Sequence, residues 1–163
     1  MYRLIYKSRV TRELDWPVIE DILHHSAANN SLAEVTGFLL ATRNHFLQVI
    51  EGRFEDVNET FFRIARDPRH ERIQLLSFEV VDARLFESWA MKGIGILDAN
   101  TDLARQLIAK YGEQDGGVRF PLESWLALSM IYDIRLFRSC RNGSAEAAPT
   151  KASRASWRTR SDR

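Results

Sequence analysis

Two apolar stretches separated by four residues constrain the fold of this chain more than any other feature. Residues 36–41 read TGFLLA and residues 46–51 read FLQVIE, and both are rich in the aromatic and aliphatic residues that are typical of strands. The connection at residues 42–45, TRNH, is short enough for a β-hairpin. We therefore expect two adjacent antiparallel strands around which the other elements are arranged.

Helical and strand patterns flank this hairpin in a regular order. Residues 2–8 alternate as a strand, and a helix with one apolar face is predicted to begin near Asp15. After the hairpin, a helix is predicted at 54–67, followed by strands at 73–81 and 91–97. The order β-α-β-β-α-β-β predicts an α+β, ferredoxin-like sheet with two helices on one face.

Two further predicted helices, at 102–111 and 122–137, are expected to cover the other face of the sheet, because an apolar sheet face is not left open to water. The composition changes to Ser, Ala, Thr and Arg from Cys140 onward, which favours a disordered basic tail. We predict a domain at 1–97, a helical extension at 98–139 and a tail at 140–163.

The composition is ordinary for a globular protein and names no partner. The 163 residues are 45% hydrophobic and 28% charged, with a net charge of +1. No run approaches the roughly 20 apolar residues of a membrane span, and the N-terminus lacks the pattern of a signal peptide. The single cysteine excludes an intrachain disulfide. We expect a cytoplasmic chain that binds neither a membrane nor a nucleic acid.

Sequence motifs of common enzymes are absent, so we expect neither a metal site nor catalytic activity. The chain has no Cys/His/Asp cluster with metal-ligand spacing, no P-loop or GxGxxG, and no G-x-S-x-G. Two alternatives stay open. One is a small ferredoxin-like hydrolase of phosphate esters or acyl phosphates that uses Arg69 and Asn30, or Arg9 and Arg12, on the phosphate. The other is a colourless protein-interaction module built on residues 102–137.

Three polar side chains fall on predicted core-facing positions: Tyr6, Asn30 and Gln48. A buried amide without a partner costs about 1–3 kcal/mol. If the first and third strands are neighbours, the Tyr6 phenol can donate to the Gln48 oxygen, and an acceptor-rich ligand can take up the amide N–H groups. Alternatively, Gln48 bonds to backbone or water and Asn30 only ends the first helix. Spacing alone leaves both interpretations open.

Five short segments occur in order along residues 2–97: YKS at 6–8, NSLAEVTG at 30–37, FLQVIEG at 46–52, RDPRH at 66–70 and FESWAM at 86–91. With these segments the chain resembles the BLUF domain, a family of blue-light sensors that use FAD. The resemblance implies a hydrogen-bonded pair of Tyr6 and Gln48 against the flavin ring, with Gln48 near N5 and O4. It also implies FAD rather than FMN as the cofactor.

The resemblance assigns the remaining flavin contacts. Asn30 would hold the pyrimidine edge of the ring, and Ile22 and Ile64 would enclose the ring from two sides. Four residues would lie near the ribityl chain and the phosphates: Arg66, Asp67, Arg69 and His70. Ser26 is a weaker candidate for a flavin contact.

The resemblance also implies a mechanism. Blue light would make the flavin a strong oxidant, Tyr6 would give it an electron and then a proton, and the hydrogen bonds of Gln48 would rearrange by rotation, tautomerisation or both. Trp89 and Met91, at the entry to the fifth strand, would transmit the change to the C-terminal helices. Because residues after 97 carry no effector signature, we expect a separate effector protein as partner, and a homo-oligomer with helix 122–137 at a contact.

Overall fold

The computed structural model describes residues 1–11, 17, 21, 34–86, 92–94 and 101–143. Most of the predicted first helix and the last twenty residues of the predicted tail lie outside the described residues. The described elements are, in chain order, β1 Tyr2–Val10, β2 Thr36–Ala41, β3 His45–Gly52, α1 Phe54–Ala65, β4 His70–Val80, β5 Lys92–Ile94, α2 Asp102–Tyr111, β6 Glu113–Gln114, β7 Gly117–Val118 and α3 Ser124–Gly143.

The main sheet has five strands in the order β4-β1-β3-β2-β5. Strands β4, β1, β3 and β2 pair with antiparallel neighbours, whereas β5 pairs with β2 in parallel. Strands β1 and β3 therefore lie at the centre, which is where the predicted topology places them. The α+β, ferredoxin-like prediction is confirmed.

Side chains alternate between the two faces of this sheet, and each face has its own core. The face that carries Tyr6 and Gln48, here called the tyrosine face, packs against α1. The core between this face and α1 contains the fully buried side chains of Leu4, Phe46, Ile50 and Val57. The opposite face, here called the far face, packs against α2 and α3. The core between the far face and these helices contains the fully buried side chains of Ile5, Leu47, Val49, Met130 and Ile134. The C-terminal helices thus cover the far face, as predicted.

Several boundaries differ from the sequence-based expectation. Strand β4 begins at His70, three residues earlier than predicted, and α3 continues to Gly143. The short hairpin of β6 and β7 was not predicted, because strands of two residues carry no measurable periodicity. Its turn uses the left-handed region at Asp115 and Gly116, with φ of 51° and 77°. Among the described residues, no helix is long and apolar enough to cross a membrane.

Candidate functional site

Tyr6 and Gln48 lie directly opposite each other on β1 and β3 and form a buried hydrogen bond. The strand register pairs the two residues, and the Tyr6 hydroxyl donates to the Gln48 Oε1. Tyr6 is completely buried and Gln48 is 4% exposed. The structure therefore gives the polar residue in the middle of β3 a specific side-chain partner, rather than a backbone group or water alone.

Burial raises the pKa of the Tyr6 phenol far above its ordinary value, and the nearby Asp67 carboxylate raises it further. The hydroxyl is therefore protonated at any physiological pH and acts as the donor. Because the acceptor end of the Gln48 amide faces the phenol, its donor end, Nε2, is directed to other groups. The pair consists of an oxidisable phenol and an amide that can reverse its ends.

Aromatic rings surround the phenol on the tyrosine face. The Tyr6 ring lies 5.6 Å from the Phe61 ring of α1 and 6.0 Å from the His70 ring, measured between centroids. The His70 ring lies 4.6 Å from that of Phe46. These contacts exclude water from the phenol and lower the local dielectric constant, which strengthens electrostatic interactions at the pair.

The loop between α1 and β4 brings a cation to the same side of the molecule. Asp67 accepts from the backbone N–H of Arg69 at 2.9 Å and from its Nε at 2.9 Å. The hydrogen bonds from Arg69 lower the pKa of the Asp67 carboxyl. The Arg69 side chain is 40% exposed, and its guanidinium also lies 4.0 Å from Asp21. The guanidinium is thus held in place by Asp67 while part of it stays open to a ligand.

His70 joins this loop to the phenol. Its Nδ1 lies 2.8 Å from the Oγ of Ser8, which shares the tyrosine face with Tyr6 two residues further along β1. Burial lowers the pKa of His70 to about 4, so the imidazole is neutral near pH 7. The Tyr6 phenol, the His70 imidazole and the Arg69 guanidinium therefore lie next to one another at one end of the tyrosine face.

The other sequence-predicted site residues are placed as follows. Ile64 is partly buried and packs against the tyrosine-face core. Arg66 is exposed at the end of α1, where its backbone N–H closes the helix on the Phe62 carbonyl. Five of the predicted site residues lie outside the described residues: Ile22, Ser26, Asn30, Trp89 and Met91.

Sequence reasoning did not single out Ser8 and Phe61 as members of this site. The signal for Ser8 was available, because its i, i+2 spacing from Tyr6 puts both residues on one face of β1. Phe61 falls within the helix predicted at 54–67, but helical periodicity cannot show which strand residue a ring will meet.

The donor set fits a flavin. A buried amide and phenol suit the polar edge of an isoalloxazine, the apolar residues Ile64 and Phe61 suit its flat faces, and a held guanidinium suits phosphate oxygens. In the described part of the chain, no group of three His, Cys, Asp or Glu residues could hold a metal ion.

Comparison with known proteins gives consistent matches. A family model described as "BLUF: Sensors of blue-light using FAD" matches residues 1–92. The photoactivated adenylate cyclase subunit alpha of Euglena gracilis is 37% identical over 92 residues, which is 55% of this chain and 9% of that protein. The matched part of the chain thus spans less than a tenth of the length of this relative.

Two solved structures are also similar. BlrB, described as a BLUF protein in its dark state, is 30% identical with a TM-score of 0.63, and the match covers 81% of this chain and 92% of BlrB. Klebsiella pneumoniae BlrP1, described with FMN and cyclic diGMP, is 29% identical with a TM-score of 0.54 over 57% of this chain and 25% of BlrP1.

Proposed function

The chain belongs to the BLUF family, the sensors of blue light that use FAD, and from this premise we propose that it is a blue-light photoreceptor. The observation that supports this most directly is the buried hydrogen bond from Tyr6 to Gln48. The Tyr6 phenol can be oxidised, and the Gln48 amide in contact with it can exchange its donor and acceptor ends. Together with the partly exposed Arg69 guanidinium at the edge of the same face, this pair suits a photoswitch better than a hydrolytic site.

We propose that Gln48 offers its Nε2 to the flavin ring and that Ile22 and Ile64 enclose the ring, with Asn30 at the pyrimidine edge. Arg69 would hold phosphate oxygens, because its guanidinium is positioned by Asp67 and partly exposed. The remaining proposed contacts are Ser26, Arg66, Asp67 and His70. When bound, the flavin supplies light absorption and an excited state that accepts an electron.

The chemistry proposed for the chain begins at Tyr6. After Tyr6 gives up an electron, its hydroxyl becomes a much stronger acid, and the proton can move along the existing hydrogen bond to the Gln48 Oε1. The amide then rotates or tautomerises, so that it presents a different end to the phenol. Return of the electron and proton to Tyr6 leaves the chain with a rearranged hydrogen-bond pattern.

We propose FAD rather than FMN as the cofactor. The family description names FAD, while the BlrP1 structure is described with FMN. Mass spectrometry of the cofactor released from the purified chain distinguishes them, because FAD carries an additional adenylate group.

We propose that the described residues have no enzymatic turnover of their own. The pair at the centre of the site is buried and offers a phosphate no nucleophile, because burial raises the pKa of the Tyr6 phenol far above its ordinary value and an amide such as Gln48 is not basic. The photoactivated cyclase relative is an enzyme subunit by its name, but the match covers only 9% of it. We therefore propose that the output goes to a separate effector protein.

The output surface that we propose is the outer side of α3. Three large apolar side chains lie along it with helical spacing: Trp125, Tyr132 and Leu136 are 67%, 42% and 64% exposed. Such a stripe suits pairing with the same helix of a second copy, so we propose a homo-oligomer. The domain limits 1–97, 98–139 and 140–163 and a cytoplasmic location stay predictions, to be tested by limited proteolysis and by cell fractionation.

The first experiment is an absorption spectrum of the purified chain in the dark, under blue light and in the dark again. We expect a flavin spectrum that shifts slightly to the red and returns. Tyr6→Phe keeps the ring but removes the donor hydroxyl, so this variant should bind flavin and lose the reversible shift.

The matched control is Tyr111→Phe, which removes a hydroxyl that donates to Asp133 on the far face. It should keep the shift. A normal reversible shift in Tyr6→Phe, or bleaching of the wild-type flavin in place of a shift, would contradict the proposed switch.

A further inference from the structure

A buried ion pair on the far face connects β1 and β3, the two strands that carry Tyr6 and Gln48 and are here called the switch strands, to the loop that follows β4. Arg3 and Glu51 face each other across β1 and β3, three residue pairs from Tyr6 and Gln48 and thus about 10 Å along the same ladder. The Arg3 Nε donates to the Glu51 Oε1 at 2.7 Å. The Glu51 side chain is completely buried, and that of Arg3 is 10% exposed.

The second oxygen of this carboxylate binds the loop itself. The Glu51 Oε2 accepts from the backbone N–H of Leu85 at 2.8 Å and of Phe86 at 3.2 Å. The other branch of the Arg3 guanidinium donates to the Ala83 carbonyl at 3.4 Å. One ion pair therefore fixes residues 83–86, which lead directly into the segment that contains Trp89 and Met91.

The same loop contacts the C-terminal helix. The Arg135 Nη1 of α3 donates to the Leu85 carbonyl at 3.4 Å. The buried Phe86 ring stacks on Phe38 of β2 at 5.8 Å between centroids. The peptide unit at Leu85 thus lies between Glu51, on a switch strand, and Arg135, on the helix that we propose as the output surface.

We propose that Glu51 is a positioning residue that couples movement of β3 to the 83–86 loop and, through Arg135, to α3. A buried carboxylate cannot lose its donors without a large cost, so any displacement of β3 relative to β1 must be followed by the backbone that it binds. This coupling rests on the proposed photoreceptor function, because light is what rearranges the hydrogen bonds of Gln48 on β3.

The test is hydrogen–deuterium exchange of the full chain, in the dark and under blue light, on wild type and Glu51→Gln. An amide has only one acceptor oxygen, and that oxygen should stay with the charged Arg3 guanidinium, which is the stronger donor. The amide NH₂ then faces the N–H groups of Leu85 and Phe86, so these two should exchange about tenfold faster in this variant, with or without light. The Tyr6–Gln48 pair lies on the other face, so the red shift should persist. The light-dependent change in α3 exchange should be lost.

Two further variants complete the design. Arg135→Met leaves the ion pair intact, so Leu85 and Phe86 should stay protected while α3 loses its light response. Glu71→Gln makes the same chemical change in the half-exposed pair with Arg9, and it should behave as wild type.

The outcomes separate the two proposals. Loss of the red shift in the wild type refutes the photoreceptor function itself. A wild-type shift without any light-dependent change in α3, unchanged exchange at Leu85 and Phe86 in Glu51→Gln, or a surviving α3 response in Arg135→Met overturns the coupling. If Glu51→Gln does not fold, Arg135→Met decides alone.

Discussion

At the scale of single residues, the neighbours Tyr6 and Lys7 point to opposite faces of the sheet and contact different parts of the chain. Tyr6 meets Gln48 on the tyrosine face, while the Lys7 Nζ donates on the far face to the Gln114 Oε1 at 3.0 Å and the Phe120 carbonyl at 3.1 Å. Burial, followed by the charge of Arg119, lowers the pKa of Lys7. A change at the phenol is therefore one residue from a contact with the C-terminal region.

His70 gives a prediction about pH at this scale. Its pKa is about 4 in the folded chain and about 6.5 when unfolded, so the unfolded chain binds a proton first as the pH falls. The free energy of unfolding should therefore decrease from about pH 6.5 to pH 4, by up to about 3 kcal/mol, and this contribution should not change below that range. Urea unfolding at a series of pH values measures it.

His70→Gln cannot titrate and should show a flatter dependence over the same range. His45, whose pKa burial also lowers, is present in both proteins, so the difference between them isolates His70. Equal slopes for wild type and His70→Gln would show that His70 does not stay neutral in the folded chain.

At the scale of elements, the pairing of β2 with β3 depends on one glycine. A Cβ at Gly37 would lie 2.2 Å from the Val49 carbonyl oxygen, so no side chain fits unless the two strands separate. This close approach sets the position of β3, which holds Gln48, relative to β2.

Gly37→Ala should therefore lower the free energy of unfolding by about 2–3 kcal/mol or more, as overpacking of a core does. Gly117→Ala is the matched control, because its Cβ would make only an ordinary 3.5 Å contact with Thr42. Denaturant unfolding of both variants measures the difference. Equal stability of the two would mean that β2 adapts without cost.

The limits of the strands and helices show which patterns in the sequence were sufficient to predict where an element begins and ends. Strand β2 and helix α2 agree with their predicted limits, because β2 is an apolar run followed by the polar turn TRNH and α2 has helical periodicity with distinct ends. For α2 the side chain of Thr101 caps the Ala104 N–H. The early start of β4 could not be predicted, because His70 is held by Ser8, which is 62 residues away.

At the scale of the whole molecule, two cores lie on the two faces of one sheet, and the switch pair and the proposed output helix are on opposite sides of it. The exposed stripe of α3 is outside both cores. Its apolar side chains contribute little to the stability of a monomer, because they stay in contact with water.

Replacing Trp125 and Leu136 by Ser should therefore leave the red shift unchanged while weakening self-association at least tenfold. The unfolding temperature should also stay the same when it is measured at a concentration at which both proteins are monomeric. Sedimentation equilibrium of the purified chain measures this. Val80→Ser, at a 69% exposed site on the edge strand β4, is the control and should not change the association. Association that is the same in the double variant and the control would place the interface elsewhere.

Local patterns in the amino-acid sequence were enough to predict strands β1 to β4, the helices α1 to α3 and the ferredoxin-like class, and they made Tyr6 and Gln48 candidates for a contact. Alternation assigns Tyr6 and Gln48 to one face and the topology makes their strands neighbours, but the hydrogen bond between them was implied by the resemblance to the BLUF family. Which distant groups surround this pair could be seen only once the chain was folded. The Ser8–His70 contact, the Lys7–Gln114 contact and the Arg3–Glu51 pair with its hold on Leu85 join residues 34 to 107 positions apart. Such contacts depend on packing in three dimensions, which no local pattern encodes.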